Sequence, residues 1–115
     1  QALGIDFDRD ALTSAQENVE ANGAGTSVSL DALDITQDAA LLTGRFDLVF
    51  ANITGAMLIK YAAAVASTLA TPGILITSGF QTHEKDDVAA AFASQGLESL
   101  VSEEEDTWVA TGFKR

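Results

Sequence analysis

Three features of the 115-residue chain predict an α/β fold with a mostly parallel sheet and an antiparallel edge. Short apolar runs alternate with stretches of helical periodicity, the pattern of strands joined by crossover helices. The run Phe46-Asp47-Leu48-Val49-Phe50-Ala51-Asn52-Ile53 has a continuous apolar centre, as a parallel strand covered on both faces does. Two further strand-like runs close the chain around Glu103-Glu104-Glu105-Asp106, which predicts a terminal hairpin.

Taken in order, Gln1 to Asp6 is the first strand. Asp8 is a credible N-cap for the helix after it, whose apolar stripe is Leu12, Ala15 and Val19. Asn22-Gly23 suits the left-handed turn that ends a helix. Ser27 to Leu30 is a short second strand, and Asp31 to Arg45 is irregular and polar, with a helical turn at Ala39 to Leu42. Phe46 to Asn52 is the third strand. Thr54 is then expected to cap one long helix with Leu58, Tyr61, Ala62, Val65 and Leu69 on one side. Thr71-Pro72-Gly73 should stop it, because proline cannot continue a helix. Ile74 to Ser78 is a fourth strand. Thr82 is expected to cap the next helix, where Glu84, Asp86 and Asp87 suit the positive end of the dipole. Val88, Ala91 and Phe92 face inward there, and Gly96 ends it. Leu97 to Ser102 and Thr107 to Phe113 make the hairpin, with the acidic run between them as a solvated turn.

Length and a 47% hydrophobic composition fit one small domain over residues 1–115. With no Cys, disulfides, thiolate metal sites and thiol nucleophiles are excluded. No apolar run approaches the roughly 20 residues that span a bilayer, and no signal peptide opens the chain, so a soluble, cytoplasmic protein without a membrane partner is expected. Six Lys and Arg against 17 Asp and Glu give a net charge of −11. That field disfavours direct contact with nucleic acid and favours basic partners, although it also simply keeps a small domain in solution. The only Met is Met57, and the first residues already read as the inside of a strand, so the chain is expected to belong to something longer.

Three polar residues fall at or after predicted strand ends: Asp6, Asp34 and Asn52. Ligands of open α/β sheets bind just outside the carboxyl ends of the strands. An acidic residue there can accept both hydroxyls of a ribose, and Asp6 also suits a plain turn. Asn52 can meet a substrate amine, or it can merely turn the chain or cap the helix that follows. His83 is the single His and has no evident partner, and there is no Gly-x-Ser-x-Gly elbow, Walker loop or metal-ligand spacing.

Gly4-Ile5-Asp6-Phe7-Asp8, Ala15-x-x-Asn18-x-x-x-Asn22-Gly23 and Phe46 to Ile53 resemble class I S-adenosylmethionine-dependent methyltransferases. Pro72-Gly73, Ser78-Gly79 and Glu105-Asp106-Thr107-Trp108-Val109 narrow the likeness to the PrmA family, which methylates ribosomal protein eleven of the large subunit. The resemblance implies a Rossmann-like methyltransferase sheet and methyl transfer from S-adenosylmethionine to amines of a basic ribosomal protein. It further implies that Asp6 takes the ribose hydroxyls with Phe7 beside the adenine, that Asp34 lies near the adenine amino group, and that Asn52 positions the attacking amine. Trp108 would line the acceptor side or, as the commoner use of an indole, pack in the core.

The family's first strand and glycine-rich loop would precede Gln1, as would its substrate-capturing domain. The absent strand would lie between those at Ala2–Asp6 and Leu48–Asn52 and leave two interior edges. The isolated chain is therefore expected to be a truncated catalytic domain of weak or no activity that self-associates. The competing expectations are a non-catalytic self-associating fragment or binding module and, third, a piece of a nicotinamide dinucleotide-binding protein.

Overall fold

The alternation at the start of the chain produces β1 (Ala2–Ile5), which pairs in parallel with β2 (Val28–Asp31) from Ala2↔Val28 to Ile5↔Asp31. Between them runs α1 (Arg9–Ala21). Its start is the expected one, with the Asp8 carboxylate accepting the Asp10 N–H at 2.9 Å. Its apolar stripe, Leu12, Ala15 and Val19, is only half-buried. The computed structural model describes residues 1–115 as two units, and these elements belong to the first, Gln1–Asp38.

That unit ends in a helical turn the sequence pattern does not show, α2 (Ile35–Asp38), ahead of the expected turn at Ala39–Leu42, which is a 3-10 helix. Its cause is local. Asp34 Oδ1 accepts the N–H and the hydroxyl of Thr36 at 2.9 and 2.7 Å, while Asp38 Oδ2 accepts the Asp34 N–H at 2.8 Å. Side chain and backbone thus cap each other reciprocally.

The second unit, Ala39–Arg115, holds a four-stranded sheet in the order β3-β4-β6-β5. Here β3 is Phe46–Asn52, β4 Leu69–Gln81, β5 Glu98–Glu105 and β6 Trp108–Lys114. β3 and β4 are parallel; β4, β6 and β5 are successively antiparallel, as an α/β fold with an antiparallel edge requires. α3 (Gly55–Lys60), α4 (Ala62–Ser67) and α5 (Lys85–Ala93) cover one face. Leu58, Leu75, Thr77, Phe80, Val88, Phe92 and Phe113 are completely enclosed between helices and sheet, and the rings of Phe92 and Phe113 lie 5.1 Å apart. The hydroxyl of Thr77 donates to the Thr111 carbonyl at 3.0 Å. On the other face Leu48, Phe50, Ile74, Ile76 and Val101 sit in register, and Leu48, Phe50 and Val101 are exposed.

Two further helical elements differ from expectation. The single long helix is two, divided at Tyr61 (φ −111, ψ 23), and it stops at Ser67 rather than at Pro72. Leu69 therefore opens β4 opposite Phe46 instead of extending the helical stripe. Long-range donors cause the early stop: Gly44 N–H takes the Ser67 carbonyl at 2.8 Å and Phe46 N–H the Thr68 carbonyl at 3.2 Å. Gln81, not Thr82, precedes the next helical segment, a 3-10 turn Thr82–Glu84 that leads into α5. Thr82 instead donates its hydroxyl to the Thr107 carbonyl at 3.2 Å. No helix is long and apolar enough to cross a membrane.

Candidate functional site

β3 delivers Asn52 to its carboxyl end, in register with Ser78 of β4. The capping duty considered for Asn52 falls to Thr54, whose hydroxyl accepts the Met57 N–H at 3.3 Å. Asn52 is exposed and leans on Gly79, the residue at the bulge between Ser78 and Phe80. Gly79 has φ +90, and a Cβ there would lie 2.6 Å from Asn52 Oδ1 and 2.8 Å from the Ile53 carbonyl. Only glycine permits both that backbone and that approach.

Asn52, Thr54, Ser78 and Gly79 form the floor of an open cleft of about 880 Å³. Its wall is the hairpin, which contributes Glu103, Glu105 and Trp108. The acidic residues are therefore strand rather than turn: β5 runs to Glu105, and the chain reverses in two residues, Asp106-Thr107. Asp106 adopts φ 56, a conformation aspartate tolerates and two-residue hairpins favour. Trp108 is not packed in the core. It is 56% exposed on the cleft wall, in register with Glu105 and Gln81. The pointer to this arrangement in the sequence is the Asp-Thr pair, which moves the turn toward the C-terminus and puts Trp108 at the start of its strand.

In the first unit Asp6 directly follows β1, and Asp34 comes three residues after the end of the neighbouring parallel strand β2. Asp6 Oδ1 accepts the Asp8 N–H at 2.9 Å, a turn contact that leaves Oδ2 for another donor. Phe7 is 72% exposed. The Thr36 bonds occupy Oδ1 of Asp34. Acceptor oxygens on Asp6 and Asp34 and an open aromatic face on Phe7 match the hydroxyls, amino group and purine face of a nucleoside in donor–acceptor chemistry. A second hollow, about 610 Å³ around Leu12, Gln16 and Leu30, does not include them.

A family model described as Ribosomal protein L11 methyltransferase (PrmA) matches residues 1–115, the whole chain. The chain belongs to the PrmA family. Among curated family members, the ribosomal protein L11 methyltransferase of Geobacter sulfurreducens is 35% identical over 94% of this chain and 34% of its own length. That of a Chelativorans species is 36% identical over 98% of this chain and 39% of its own length. The chain thus spans little more than a third of the PrmA proteins it matches. The solved ribosomal protein L11 methylase of Lactobacillus delbrueckii subsp. bulgaricus superposes with a TM-score of 0.86 at 24% identity, covering 98% of this chain and 57% of that one. A Burkholderia thailandensis 1,6-didemethyltoxoflavin-N1-methyltransferase, solved with bound S-adenosylhomocysteine, superposes with a TM-score of 0.70 at 14% identity, over 98% of this chain and 60% of that one. The fold is accordingly the Rossmann-like methyltransferase fold.

Proposed function

We propose that residues 1–115 form part of the catalytic domain of an S-adenosylmethionine-dependent N-methyltransferase acting on amines of ribosomal protein L11. One observation carries this reading beyond family membership: the exposed Asn52 carboxamide, relieved of capping by Thr54, on the floor of an open cleft at a strand's carboxyl end. S-adenosylmethionine, when bound, supplies an electrophilic methyl on a sulfonium sulfur. Asp6 and Asp34 accept hydrogen bonds from its nucleoside and Phe7 offers a ring face. Asn52 Oδ1 accepts an N–H of the neutral acceptor amine and so aims the nitrogen lone pair. Catalysis of this kind is proximity and orientation, with no strong base required once the amine has lost its proton to water. The acidic cleft wall draws a basic protein toward the site.

The test uses a protein that carries this segment together with the rest of a family member's length, since the 115 residues alone are expected to transfer little or no methyl. Asn52→Ala should lower the rate of methyl transfer to ribosomal protein L11 while leaving affinity for S-adenosylhomocysteine nearly intact. Asp6→Ala should weaken that affinity by about 1.5–3 kcal/mol, the worth of a hydrogen bond to a charged group. An unchanged rate for a folded Asn52→Ala variant would return Asn52 to a turn residue.

A second reading has its own support. On this reading β3, hydrogen-bonded on one side only and with Leu48 and Phe50 exposed, is the edge through which the isolated chain would pair with another copy. Sedimentation equilibrium at micromolar concentration separates it from a monomer.

A further inference from the structure

The short segment Gln81–Lys85 lines none of the cleft, yet it bonds to the hairpin wall and packs against Gly55 beyond the floor. Within the segment, the Glu84 carboxylate accepts the Gln81 N–H through Oε1 at 3.1 Å, the reach-back of a capping box. It also fills the space beside Gly55, the first residue of α3: a Cβ on Gly55 would collide with Oε2 and lie 2.5 Å from Cδ. Toward the wall, Thr82 donates its N–H and its hydroxyl to the Thr107 carbonyl at 2.9 and 3.2 Å, and Lys85 Nζ pairs with Glu104 at 3.0 Å. Glu84 therefore reaches across from the exit of β4 to the turn that carries Asn52, Ile53 and Thr54. Gly79 gives that turn its other support from the same strand exit.

Both contacts depend on an absent side chain. Gly55 admits the carboxylate and Gly79 admits the Asn52 amide, so the Asn52 turn is gripped at two points. The Glu84 point is the one tied through the backbone to the hairpin wall. We infer that Glu84 is a positioning residue that fixes the Asn52 turn relative to the hairpin, and with it the width of the cleft. Its working atom is the accepting oxygen, not the negative charge, because the partner is the Gln81 N–H. The inference deepens the reading of Asn52 as the amine-positioning residue, but it concerns geometry, and the following test reads geometry alone. Its failure is thereby distinct from an Asn52→Ala variant of unchanged rate.

The experiment takes the 115-residue chain and its single Trp, which lies on the cleft wall. Glu84→Ala and Glu84→Gln are compared with the parent by the side-chain amide cross-peaks of Asn52 in a ¹H–¹⁵N correlation spectrum. The emission maximum and acrylamide quenching of Trp108 are recorded alongside. Glu84→Ala should displace the Asn52 amide signals and change the Trp108 emission with far-UV circular dichroism unaltered. Glu84→Gln, which keeps an accepting oxygen, should restore both. If Glu84→Ala does not fold, Gly55→Ala, whose methyl expels the carboxylate from the opposite side, should move the same two signals. Unmoved signals in the folded variant, or a Glu84→Gln variant displaced like Glu84→Ala, would overturn the inference.

Discussion

The two units of this chain are built from the same βα alphabet and differ in what they enclose. In Gln1–Asp38 a two-stranded parallel pair and one amphipathic helix leave no side chain fully buried, and the best-covered apolar residues are only partly enclosed. In Ala39–Arg115 three helices on a four-stranded sheet enclose three Phe side chains and the aliphatic residues around them. A strand pair with a single helix removes too little apolar surface to offset the entropy of ordering its own backbone. The residues proposed for the nucleoside thus stand on the less enclosed unit, and the residue proposed for the amine on the more enclosed one.

Native-state hydrogen exchange should show this contrast most strongly. Amides of β4 and β6 should open only with global unfolding, and those of β1 by local opening, a gap approaching about 5 kcal/mol if the second unit has ordinary domain stability. Equal protection in β1 and β6 would abolish the distinction. Truncation in the two units should differ next most. Phe92→Ala, losing its contact with Phe113, should cost about 3–5 kcal/mol in urea unfolding, whereas Leu12→Ala on half-buried α1 should cost less than about 1 kcal/mol. Within the firmer unit, Gly79→Ala should cost about 1–3 kcal/mol through its positive φ, with the collision against Asn52 adding to it. Thr77→Val, which removes the buried hydroxyl bonded to Thr111, should cost about 0.5–1.5 kcal/mol. Smallest of all, Lys85→Ala should change stability by less than about 1 kcal/mol, because its pair with Glu104 is exposed to solvent.

Much of the architecture was legible because it is written in local periodicity. The caps at Asp8 and Thr54 and the inward Val88 and Phe92 are set by neighbours a few residues away, whereas the apolar run ending at Asn52 is a strand at the sheet edge, with Leu48 and Phe50 exposed rather than covered on both faces. The features that escaped depend on partners far along the chain. Leu69 has the spacing of a helical stripe, but Gly44 and Phe46 claim the carbonyls of Ser67 and Thr68 and turn the chain into a strand. Trp108 reads as either a core aromatic or a residue lining the acceptor side, and the two-residue reversal at Asp106-Thr107 decides against the core by setting it on an open wall. Of the candidate site, Asp6 and Asn52 stand at strand ends where the sequence pattern puts them, while Asp34 lies three residues beyond β2. The grip of Glu84 on Gly55 was not, since a carboxylate 29 positions from a glycine leaves no pattern.

The four-stranded sheet has two unlike borders. Along β3 the outermost strand presents Phe46, Leu48 and Phe50; along β5 it presents Glu98, Glu103, Glu104 and Glu105. Two copies meeting through β3 in opposite directions would be related by a two-fold axis, and the doubled sheet would then be bordered by β5 on both sides. Carboxylates on a border strand repel another such strand, so such a doubled sheet would not extend further along β5. The acidity of β5 thus disfavours strand pairing along that border. Because that repulsion acts between solvent-exposed charges, high ionic strength weakens it.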